Sequence, residues 1–364
     1  MQLLTSNFTP LNLPNQTFVS KWESLFQSSE LIKIGVGYAS NDSLLYLRKL
    51  LEFNQPKKLD LCLGMAFFEG LSRSQFDATQ NLNRFLLENE LGQLKVARAF
   101  PFHGKVQSFI GVKNSKTCLI GSSNLSNIVP VVGVQRRNYE VDLEVTNLDV
   151  IGNIDNLLDK LFSESSVAFE SVISQIKINE NNNTLLASRS DVNQVGESTL
   201  ENILSNLTKN CFEIPLKDAP KSNLNAFFGE GRRGKQGFVK PRHWYEIEII
   251  VDLAVQKSGK NYPTNSDFVV YTDDGYQFIM RTSGDNGKNL RSRDDLTIFG
   301  RWIKGRMEMN GSLNSGELIT TESFRKYGRE SISLTQTTLS EKINEQGIKL
   351  DVWYLDFKSP VRNQ

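Results

Sequence analysis

One histidine lies in a setting where its chemistry could be used. The chain has only two histidines, and His103 lies two positions before Lys105 in the segment FHGK. In a strand, residues i and i+2 point to the same face, so the imidazole and the ammonium would share one face. The next apolar run ends in GSSN at 121–124, where hydroxyl, amide and backbone N–H groups can converge on an anion. A further strand begins near Glu140 and would bring a carboxylate to the same edge if the three strands are neighbours.

These residue types match what phosphodiester cleavage requires without a metal ion. Because the negative charge of the phosphate repels a nucleophile, Lys105, Ser122 and Asn124 would supply the electrostatic stabilisation. His103 could attack phosphorus to give a phosphohistidine that water resolves, and Glu140 could hold the imidazole in one tautomer and favour its cationic form. Each residue alone is more often an ordinary strand or turn residue. The prediction of these five catalytic residues therefore depends on their combination.

The same residues resemble the motifs of a known superfamily. The HGK at 103–105, the GSSN at 121–124 and the later Glu140 are similar to the H-x-K, G-S-x-N and following glutamate of the phospholipase D superfamily, in its branch of single-motif nucleases. The aspartate that usually follows the lysine by five positions is Ile110 here, a departure typical of that branch, where the later glutamate does this work. The resemblance spans roughly residues 20 to 165.

The resemblance also implies an assembly. The chemistry of this superfamily needs two histidines, one that attacks and one that protonates the leaving oxygen. The chain has a single H-x-K, because His243 belongs to no such motif. Two copies would come from two chains, which implies a homodimer through the N-terminal domain with one composite site on the symmetry axis.

The elements that would position these residues alternate along the first half of the chain. Asp42 or Ser43 is a plausible N-cap for the first helical run, and a further helix is expected after 147. Strands alternating with helices predict an α/β domain, with helices packed on a mixed sheet. Strand-like runs cover 31–40, 58–67, 94–100, 105–112, 116–122 and 139–147, and helical spacing covers 42–53 and 75–89.

After a polar, Asn-rich stretch, the second half of the chain has strand-like runs with few helical stretches between them. Its β-rich runs are HWYEIEIIVDLAV, DFVVYTDDGYQFIMRTS, DLTIFGRWIKGRMEM, SISLTQTTL and KLDVWYLDFK, separated by Gly, Asn and Asp turns. This pattern predicts a small, mainly β barrel or sandwich. The aromatic residues within these runs are expected in the core rather than as base-stacking platforms. We predict a nuclease domain at 1–175, a helical and Asn-rich linker at 176–208, and a second domain at 209–364.

Two basic segments of the second half could contact DNA. GRRGKQGFVKPR at 231–242 has five basic residues and no acid, and the segment 281–306 has seven basic residues against three acids. Such segments are often only solvated loops, but Arg can grip guanine, Asn can read adenine and Lys can hold phosphate. The predicted DNA-binding residues are Arg232, Arg233, Lys235, Lys240, Arg242, Arg281, Lys288, Asn289, Arg291, Arg293, Arg301 and Lys304.

A nuclease half followed by a β-rich half resembles restriction endonucleases of the NgoFVII or NgoAVII type. In those enzymes the second domain is a pseudobarrel similar to the B-three domain of plant transcription factors. The resemblance implies double-stranded DNA as the substrate and a cognate methyltransferase that protects the same site. For the NgoAVII type it also implies a separate helicase-like ATPase subunit.

Bulk composition sets broader limits. The net charge is +1, with 19 basic against 21 acidic residues up to position 210 and 23 against 20 after it, so an anion site must come from local clustering. The three cysteines, Cys62, Cys118 and Cys211, predict reduced thiols rather than a disulfide framework or a zinc site. No spacing predicts a metal or cofactor site. The N-terminal residues lack a signal-peptide pattern and no run is long enough to cross a bilayer, so we expect a cytoplasmic protein without membrane association.

Two other functions remain open at this stage. The same site could act on a phospholipid or another phosphodiester, because one fold serves several substrates. No amphipathic membrane-binding helix supports that alternative. The chain could also be a DNA-binding module with an inactive nuclease domain, and Ile110 at the aspartate position keeps that alternative open.

Overall fold

The structure is a computed structural model that describes residues 1–54, 57–130, 138–179, 186, 189, 191–234, 237–343 and 347–360. The described residues form two compact units. The first contains those of 1–130, 137–181 and 231–241, and the second contains those of 182–230 and 242–364. Within this described part, none of the helices has the length and apolar character needed to cross a membrane.

The strands divide between the two units. In chain order they are β1 (Gln2–Thr5), β2 (Ser29–Val36), β3 (Lys58–Leu63), β4 (Leu71–Ser72), β5 (Gly92–Ala97), β6 (Lys105–Gly111), β7 (Lys116–Gly121), β8 (Val141–Val145), β9 (Ser166–Ala168), β10 (Ile178–Asn179), β11 (Asn193–Gln194), β12 (Leu207–Pro215), β13 (Arg232–Arg233), β14 (Val239–Lys240), β15 (Ile249–Ile250), β16 (Asp267–Thr272), β17 (Tyr276–Ser283), β18 (Asn289–Ser292), β19 (Ser331–Ile343) and β20 (Ile348–Asp356).

The helices follow the same chain order. They are α1 (Phe18–Ser28), α2 (Asn41–Phe53), α3 (Ala66–Glu69), α4 (Arg73–Glu88), α5 (Leu148–Lys160), α6 (Phe169–Val172), α7 (Glu197–Ser205), α8 (Leu253–Gln256), α9 (Thr297–Met309) and α10 (Thr321–Tyr327).

The first unit is built on an eight-stranded mixed sheet in the order β1-β8-β7-β6-β2-β3-β5-β9. Strands β2, β3 and β5 are parallel to one another, and the remaining pairs in this sheet are antiparallel. Consecutive residues of β2, from Ile34 to Val36, are all buried, as expected for a strand covered on both faces. The helices therefore pack on both sides of the central strands, and the α/β prediction is confirmed.

Polar caps fix where these helices begin. The N-cap of α2 is Ser40, whose hydroxyl accepts the backbone N–H of Ser43 at 3.2 Å, so the prediction of Asp42 or Ser43 as the cap was wrong by two or three residues. Helix α4 begins with a capping box, in which Ser72 and Gln75 each accept the other's backbone N–H. Such caps set the helix start, and the buried apolar face then holds the helix on the sheet.

The second unit is centred on another sheet, in the order β12-β19-β20-β16-β17-β18-β15, with β11 paired to β17. Strands β16 and β20 are parallel, and the other pairs in this order are antiparallel. The predicted core aromatics are confirmed: eight are at most 5% exposed, and Tyr354 is partly buried. The eight are Trp244, Tyr245, Tyr271, Tyr276, Phe278, Phe299, Trp302 and Trp353.

The prediction of β-strands was wrong for two runs in this unit. DLTIFGRWIKGRMEM forms the helix α9, because Phe299, Ile303 and Met307 recur at every fourth position and are all buried. HWYEIEIIVDLAV forms mostly irregular chain, with only β15 and the short α8 in regular structure. Its two aromatic residues and Ile247, Ile249 and Val251 are nevertheless buried, whereas Ile250 and Leu253 are exposed. For the buried residues, the error lay in assigning strands rather than in assigning the core.

A short hairpin of β13 and β14 belongs to the first unit, although its sequence lies within the predicted DNA-recognition half. Phe238 packs edge-on against Phe26, with ring centroids 6.3 Å apart. Lys240 forms an ion pair with Glu23 at 2.7 Å. The hairpin is thus held on the first unit by packing and charge, and the predicted division of the chain at 175 and 208 stays a prediction.

Candidate active site

The predicted catalytic residues converge on one edge of the first sheet. Strand β6 begins at Lys105, which pairs with Val36 at the end of β2. On the other side β7 ends at Gly121, and Gly121 pairs with Asp142 near the start of β8. Because neighbouring strands alternate in direction here, the end of β7 and the starts of β6 and β8 meet at the same edge. The three strands are neighbours, as the spacing of the motifs required.

His103 and Lys105 are in direct contact at this edge. The Nζ atom of Lys105 lies 3.1 Å from Nε2 and 3.2 Å from Nδ1 of His103, and it donates a hydrogen bond to the His103 backbone oxygen at 2.7 Å. His103 is exposed and Lys105 is partly buried. Burial lowers the pKa of Lys105, while the negative charge of Glu140 opposes that shift. The cation and the carboxylate thus share one electrostatic environment beside the imidazole.

Glu140 is joined to the GSSN turn through Ser122. The Ser122 hydroxyl donates to the Glu140 carboxylate and accepts the backbone N–H of Val141 at 3.0 Å. The Glu140 backbone N–H in turn donates to the Ser6 hydroxyl at 2.9 Å, which fixes the residue before β8 begins. The carboxylate is therefore engaged by the serine, and its predicted role in orienting the imidazole stays a prediction.

A buried carboxylate that the sequence reasoning missed supports the same turn. Asp142 is 2% exposed and accepts the backbone N–H of Ser123 at 3.1 Å and its hydroxyl at 2.6 Å. Burial raises the pKa of Asp142, although the bonds from Ser123 act in the opposite direction. A side chain at Gly121 would place a Cβ 2.4 Å from Oδ1 of Asp142, so only glycine fits there. Asp142 belongs to none of the motifs singled out in the sequence, so no local pattern could have identified it in advance.

Asn124 completes the turn and contacts the end of β2. It precedes a 3-10 turn at Leu125–Ile128, and its backbone oxygen accepts the N–H of Asn127 at 3.0 Å. Its side-chain Oδ1 accepts the backbone N–H of Tyr38 at 3.2 Å. The sequence reasoning missed Tyr38, because an isolated tyrosine after an apolar run carries no catalytic signature.

Two protein-family models match the chain. One, described as the NgoFVII restriction endonuclease N-terminal PLD domain, matches residues 12–175. The other, described as the NgoFVII C-terminal B3-like DNA-binding domain, matches residues 202–338. Together they cover more than four fifths of the sequence.

The chain belongs to the NgoFVII-type restriction endonucleases. The two matched domains confirm the predicted fold class, a phospholipase D-like α/β domain followed by a mainly β, B3-like domain. A search of curated proteins gives no match. Across the described residues, the structure brings together no group of three or more His, Cys, Asp or Glu that could hold a metal ion.

In this NgoFVII-type chain, part of the predicted DNA-binding set lies on the hairpin of the first unit. Arg232 and Arg233 form β13 and are exposed. Lys240, on β14, is the residue that pairs with Glu23. Lys235 lies outside the described residues. Arg232, Arg233 and Lys240 are therefore carried on the same unit as the candidate catalytic edge, whereas Arg242 of the same predicted cluster belongs to the second unit.

The other predicted DNA contacts lie in the second unit. Arg281 is exposed, pairs with Asp267 at 2.8 Å, and lies opposite Arg291 across β17 and β18. Arg293 bonds to Asp294, whose hydrogen bond raises the pKa of the arginine. The remaining members contact neighbours as follows: Arg242 pairs with Glu246, Lys288 pairs with Asp285, the Arg301 guanidinium lies 4.6 Å from the Tyr245 ring centroid, and Asn289 lies on β18 opposite Ser283.

The prediction of Lys304 as a DNA contact was wrong. Its side chain is fully buried in α9, where Nζ donates to the Trp244 backbone oxygen at 2.5 Å and lies 3.9 Å from the Trp244 ring centroid. Burial lowers its pKa to about 7, and the nearby Glu308 and Glu246 oppose that shift. The sequence placed this lysine on an exposed β arm, whereas the helix turns it into the core.

Proposed function

We propose that the chain is a sequence-specific, metal-independent endonuclease that hydrolyses DNA phosphodiester bonds through a phosphohistidine. The observation that carries the proposal is the convergence of His103, Lys105, Ser122, Asn124 and Glu140 at one sheet edge. These groups supply a nucleophile, a cation, neutral donors and a carboxylate within one short span. The activity that fits this edge in an NgoFVII-type chain is DNA cleavage of the type II-like restriction class.

The proposed reaction has two steps. A ring nitrogen of His103 attacks phosphorus, the P–O bond to the leaving nucleotide oxygen breaks, and His103 of the partner subunit gives that oxygen a proton. Water then attacks the phosphohistidine, breaks its P–N bond and loses a proton to the same partner histidine. Lys105 and the amide of Asn124 would stabilise the charge on the phosphoryl oxygens in both steps.

An apolar row beside the catalytic edge supports the proposed homodimer. Leu3, Leu143 and Ile120 lie directly opposite one another across β1, β8 and β7, and they are 40%, 41% and 39% exposed. Helix α5 covers the same sheet face further along, where Cys118 and Val145 are buried against it. Because one chain offers a single H-x-K, a second copy seated on this row would both cover apolar surface and bring the second histidine.

The B3-like domain and the basic residues would supply sequence recognition of double-stranded DNA. In this proposal Arg and Asn side chains read base edges, while Lys and other Arg side chains hold phosphates. A cognate methyltransferase and a helicase-like ATPase subunit are proposed partners, by analogy with the restriction systems that the chain resembles. We propose a cytoplasmic location, where such systems meet incoming DNA.

Plasmid cleavage tests the proposal. Wild type, His103→Ala and Lys105→Ala would be incubated with DNA in Mg²⁺ or EDTA, with and without ATP, and Lys113→Ala, in an exposed turn, serves as the lysine control. We expect discrete fragments in EDTA from the wild type and the control, and none from the other two. An acid-labile adduct on His103 in which phosphorus is still esterified to a nucleotide, detected by mass spectrometry after nuclease digestion of the DNA, would identify the intermediate.

Four results would contradict parts of the proposal. Strict dependence on Mg²⁺ would exclude the metal-independent mechanism. Undiminished cleavage by His103→Ala would exclude the site itself. Hydrolysis of phospholipid vesicles without any DNA cleavage would assign the site to another phosphodiester, and DNA binding without cleavage under every condition would favour a binding module.

A further inference from the structure

The chain that leaves β2 passes through the middle of the candidate site. Gly37 follows Val36, and its backbone N–H donates to the Gly104 oxygen at 3.1 Å, next to His103. A Cβ at Gly37 would lie 3.1 Å from Cδ2 of His103, so the glycine lets the backbone approach the imidazole closely. This segment is therefore packed against the proposed nucleophile.

The next residue, Tyr38, contacts both halves of the site. Its ring meets the His103 ring edge to face, with centroids 5.4 Å apart and planes at 77°. Its backbone N–H donates to Oδ1 of Asn124 at 3.2 Å. Its hydroxyl donates to the Glu69 carboxylate, with oxygen distances of 3.0 Å and 2.9 Å. Three groups from three separate segments, the His103 ring, the Asn124 amide and the Glu69 carboxylate, are thus tied together through one residue.

We propose that Tyr38, held by Glu69, is a positioning residue that fixes the orientations of His103 and Asn124 for attack on phosphorus. The inference rests on the proposed function of this edge. It assigns to Tyr38 no contact with the reacting atoms, and its effect is exerted through the two residues that it touches.

The contact with Asn124 determines which end of the amide faces the substrate. A side-chain amide has an acceptor oxygen and a donor NH₂ group. Because Oδ1 is occupied by the Tyr38 N–H, the NH₂ group remains the end available to a phosphoryl oxygen. An amide turned the other way would present its oxygen to the phosphate and repel it. This one hydrogen bond therefore decides whether the Asn124 side chain attracts or repels the phosphate.

The contact with His103 restrains an exposed imidazole. The χ2 torsion of histidine is broad, so an exposed ring would otherwise sample many orientations. Aromatic rings prefer an edge-to-face geometry at such separations, and the Tyr38 ring can move little because its hydroxyl is held by Glu69. The hydrogen bond to Glu69 is the largest cause that raises the pKa of Tyr38, so the phenol keeps its proton and continues to donate.

Three variants test the ring of Tyr38 and its bond to Glu69, while the backbone N–H that binds Asn124 is kept in all of them. Tyr38→Ala removes the ring, Tyr38→Phe keeps the ring and removes the bond to the carboxylate, and Glu69→Gln keeps an acceptor while removing the charge. Tyr139→Phe is a matched control, because its exposed hydroxyl also donates a single surface bond, to the Leu11 oxygen at 2.9 Å. Cleavage of a plasmid would be followed in single turnover at increasing enzyme concentration, with the melting temperature of each variant recorded.

The expected pattern is specific to a positioning role. Tyr38→Ala should lower the maximal single-turnover rate about 10- to 100-fold, while the enzyme concentration at half-saturation changes less than about twofold. Tyr38→Phe should recover most of that loss, Glu69→Gln should resemble Tyr38→Phe, and the control should match the wild type. Melting temperatures should stay close together.

Other patterns would overturn the inference. If Tyr38→Ala raises the enzyme concentration at half-saturation and leaves the maximal rate unchanged, the ring contacts DNA and does not position the catalytic residues. An unchanged Tyr38→Ala enzyme, alongside an inactive His103→Ala enzyme, would remove the positioning role of the Tyr38 side chain but leave the proposed function standing. If His103→Ala itself still cleaves, the proposed function fails, whatever Tyr38 does.

Discussion

The side-chain amide of Asn54 binds both backbone groups of Val239. Its Nδ2 donates to the Val239 oxygen at 2.8 Å, and its Oδ1 accepts the Val239 N–H at 2.7 Å. One side chain thus makes the pair of bonds that a neighbouring strand residue would make. Since β14 carries Lys240 and pairs with the arginines of β13, this contact holds the basic hairpin on the first unit.

Replacing Asn54 should loosen the hairpin. Asn54→Ala leaves the nearly buried N–H and oxygen of Val239 without these bonds, which costs about 1–3 kcal/mol. We expect hydrogen exchange at the Val239 amide to become at least about tenfold faster, since tenfold corresponds to about 1.4 kcal/mol. Asn89→Ala is the control, because Asn89 also follows a helix and donates to the carbonyl four residues back, at 2.8 Å. Equal rates of hydrogen exchange at Val239 in Asn54→Ala and Asn89→Ala would show that the Asn54 side chain does not hold the hairpin.

The placement of this hairpin marks what the sequence could and could not predict. His103, Lys105 and the GSSN turn were identified because short motifs fix residue types at set spacings, and strands of ordinary length then bring them to one edge. Asn54 and Val239 lie 185 positions apart, and no local pattern links them. The same limit hid Tyr38, Glu69 and Asp142, whose roles depend on tertiary contacts.

The errors in the second unit have a different cause. In α9, the β-branched and aromatic residues Ile298, Phe299, Trp302 and Ile303 have strand propensity, yet their spacing also fits a buried helical face. Short apolar runs are ambiguous in this way. Because a strand was assumed, Lys304 was assigned to an exposed arm, and the error in the element became an error in the site.

Arg232 and Arg233 should contribute to DNA binding through phosphate contacts. Replacing both with alanine should weaken binding and lower the slope of log K against log salt by up to about 2, since each phosphate contact contributes about 0.9. Filter binding or fluorescence anisotropy over a salt series measures this slope. The double variant Arg325→Ala, Lys326→Ala, on exposed positions of α10, removes equal charge elsewhere. An equal change in both double variants would exclude a specific role for the hairpin.

The buried Lys304 should make stability depend on pH. Its pKa is about 7 in the folded chain against 10.5 for the ordinary group. Between these values the unfolded chain binds the extra proton, so stability rises with pH, by up to about 1.4 kcal/mol per pH unit. We expect Lys304→Met to remove this rise between pH 7 and pH 10 in denaturant unfolding, while the exposed Lys326→Met keeps it. A retained rise in Lys304→Met would show that another group causes it.

The three cysteines should differ in reactivity. Cys62 and Cys118 are buried, and burial raises their thiol pKa values to about 12 and about 11. Cys211 is exposed and accepts a contact from the Thr335 hydroxyl at 3.2 Å. Because the thiolate is the reactive form, iodoacetamide at pH 8 should modify Cys211 alone in the folded protein. Mass spectrometry should find one adduct per chain, none in Cys211→Ser and three after denaturation. Early labelling of Cys62 or Cys118 would contradict this account of the core.

The apolar row of Leu3, Leu143 and Ile120 should hold the proposed dimer. A charge at the central position, Leu143→Glu, would be buried against the second copy without a partner, so we expect monomers in analytical ultracentrifugation and loss of cleavage. Leu87→Glu is the control, because Leu87 is a similarly exposed leucine on α4, at 48%. A dimeric Leu143→Glu protein would place the interface elsewhere.

Mixing subunits separates assembly from a merely damaged fold. If each site needs His103 from both subunits, an excess of His103→Ala protein should draw wild-type chains into inactive mixed dimers. The cleavage rate per wild-type chain should then fall in proportion to the fraction of wild-type chains, because only dimers of two wild-type chains are active. Adding Leu143→Glu to the His103→Ala chain should abolish this inhibition, since that chain can no longer pair, whereas adding Leu87→Glu should preserve it. Inhibition that persists with Leu143→Glu would show competition for DNA rather than exchange of subunits, and the composite site would lose its support.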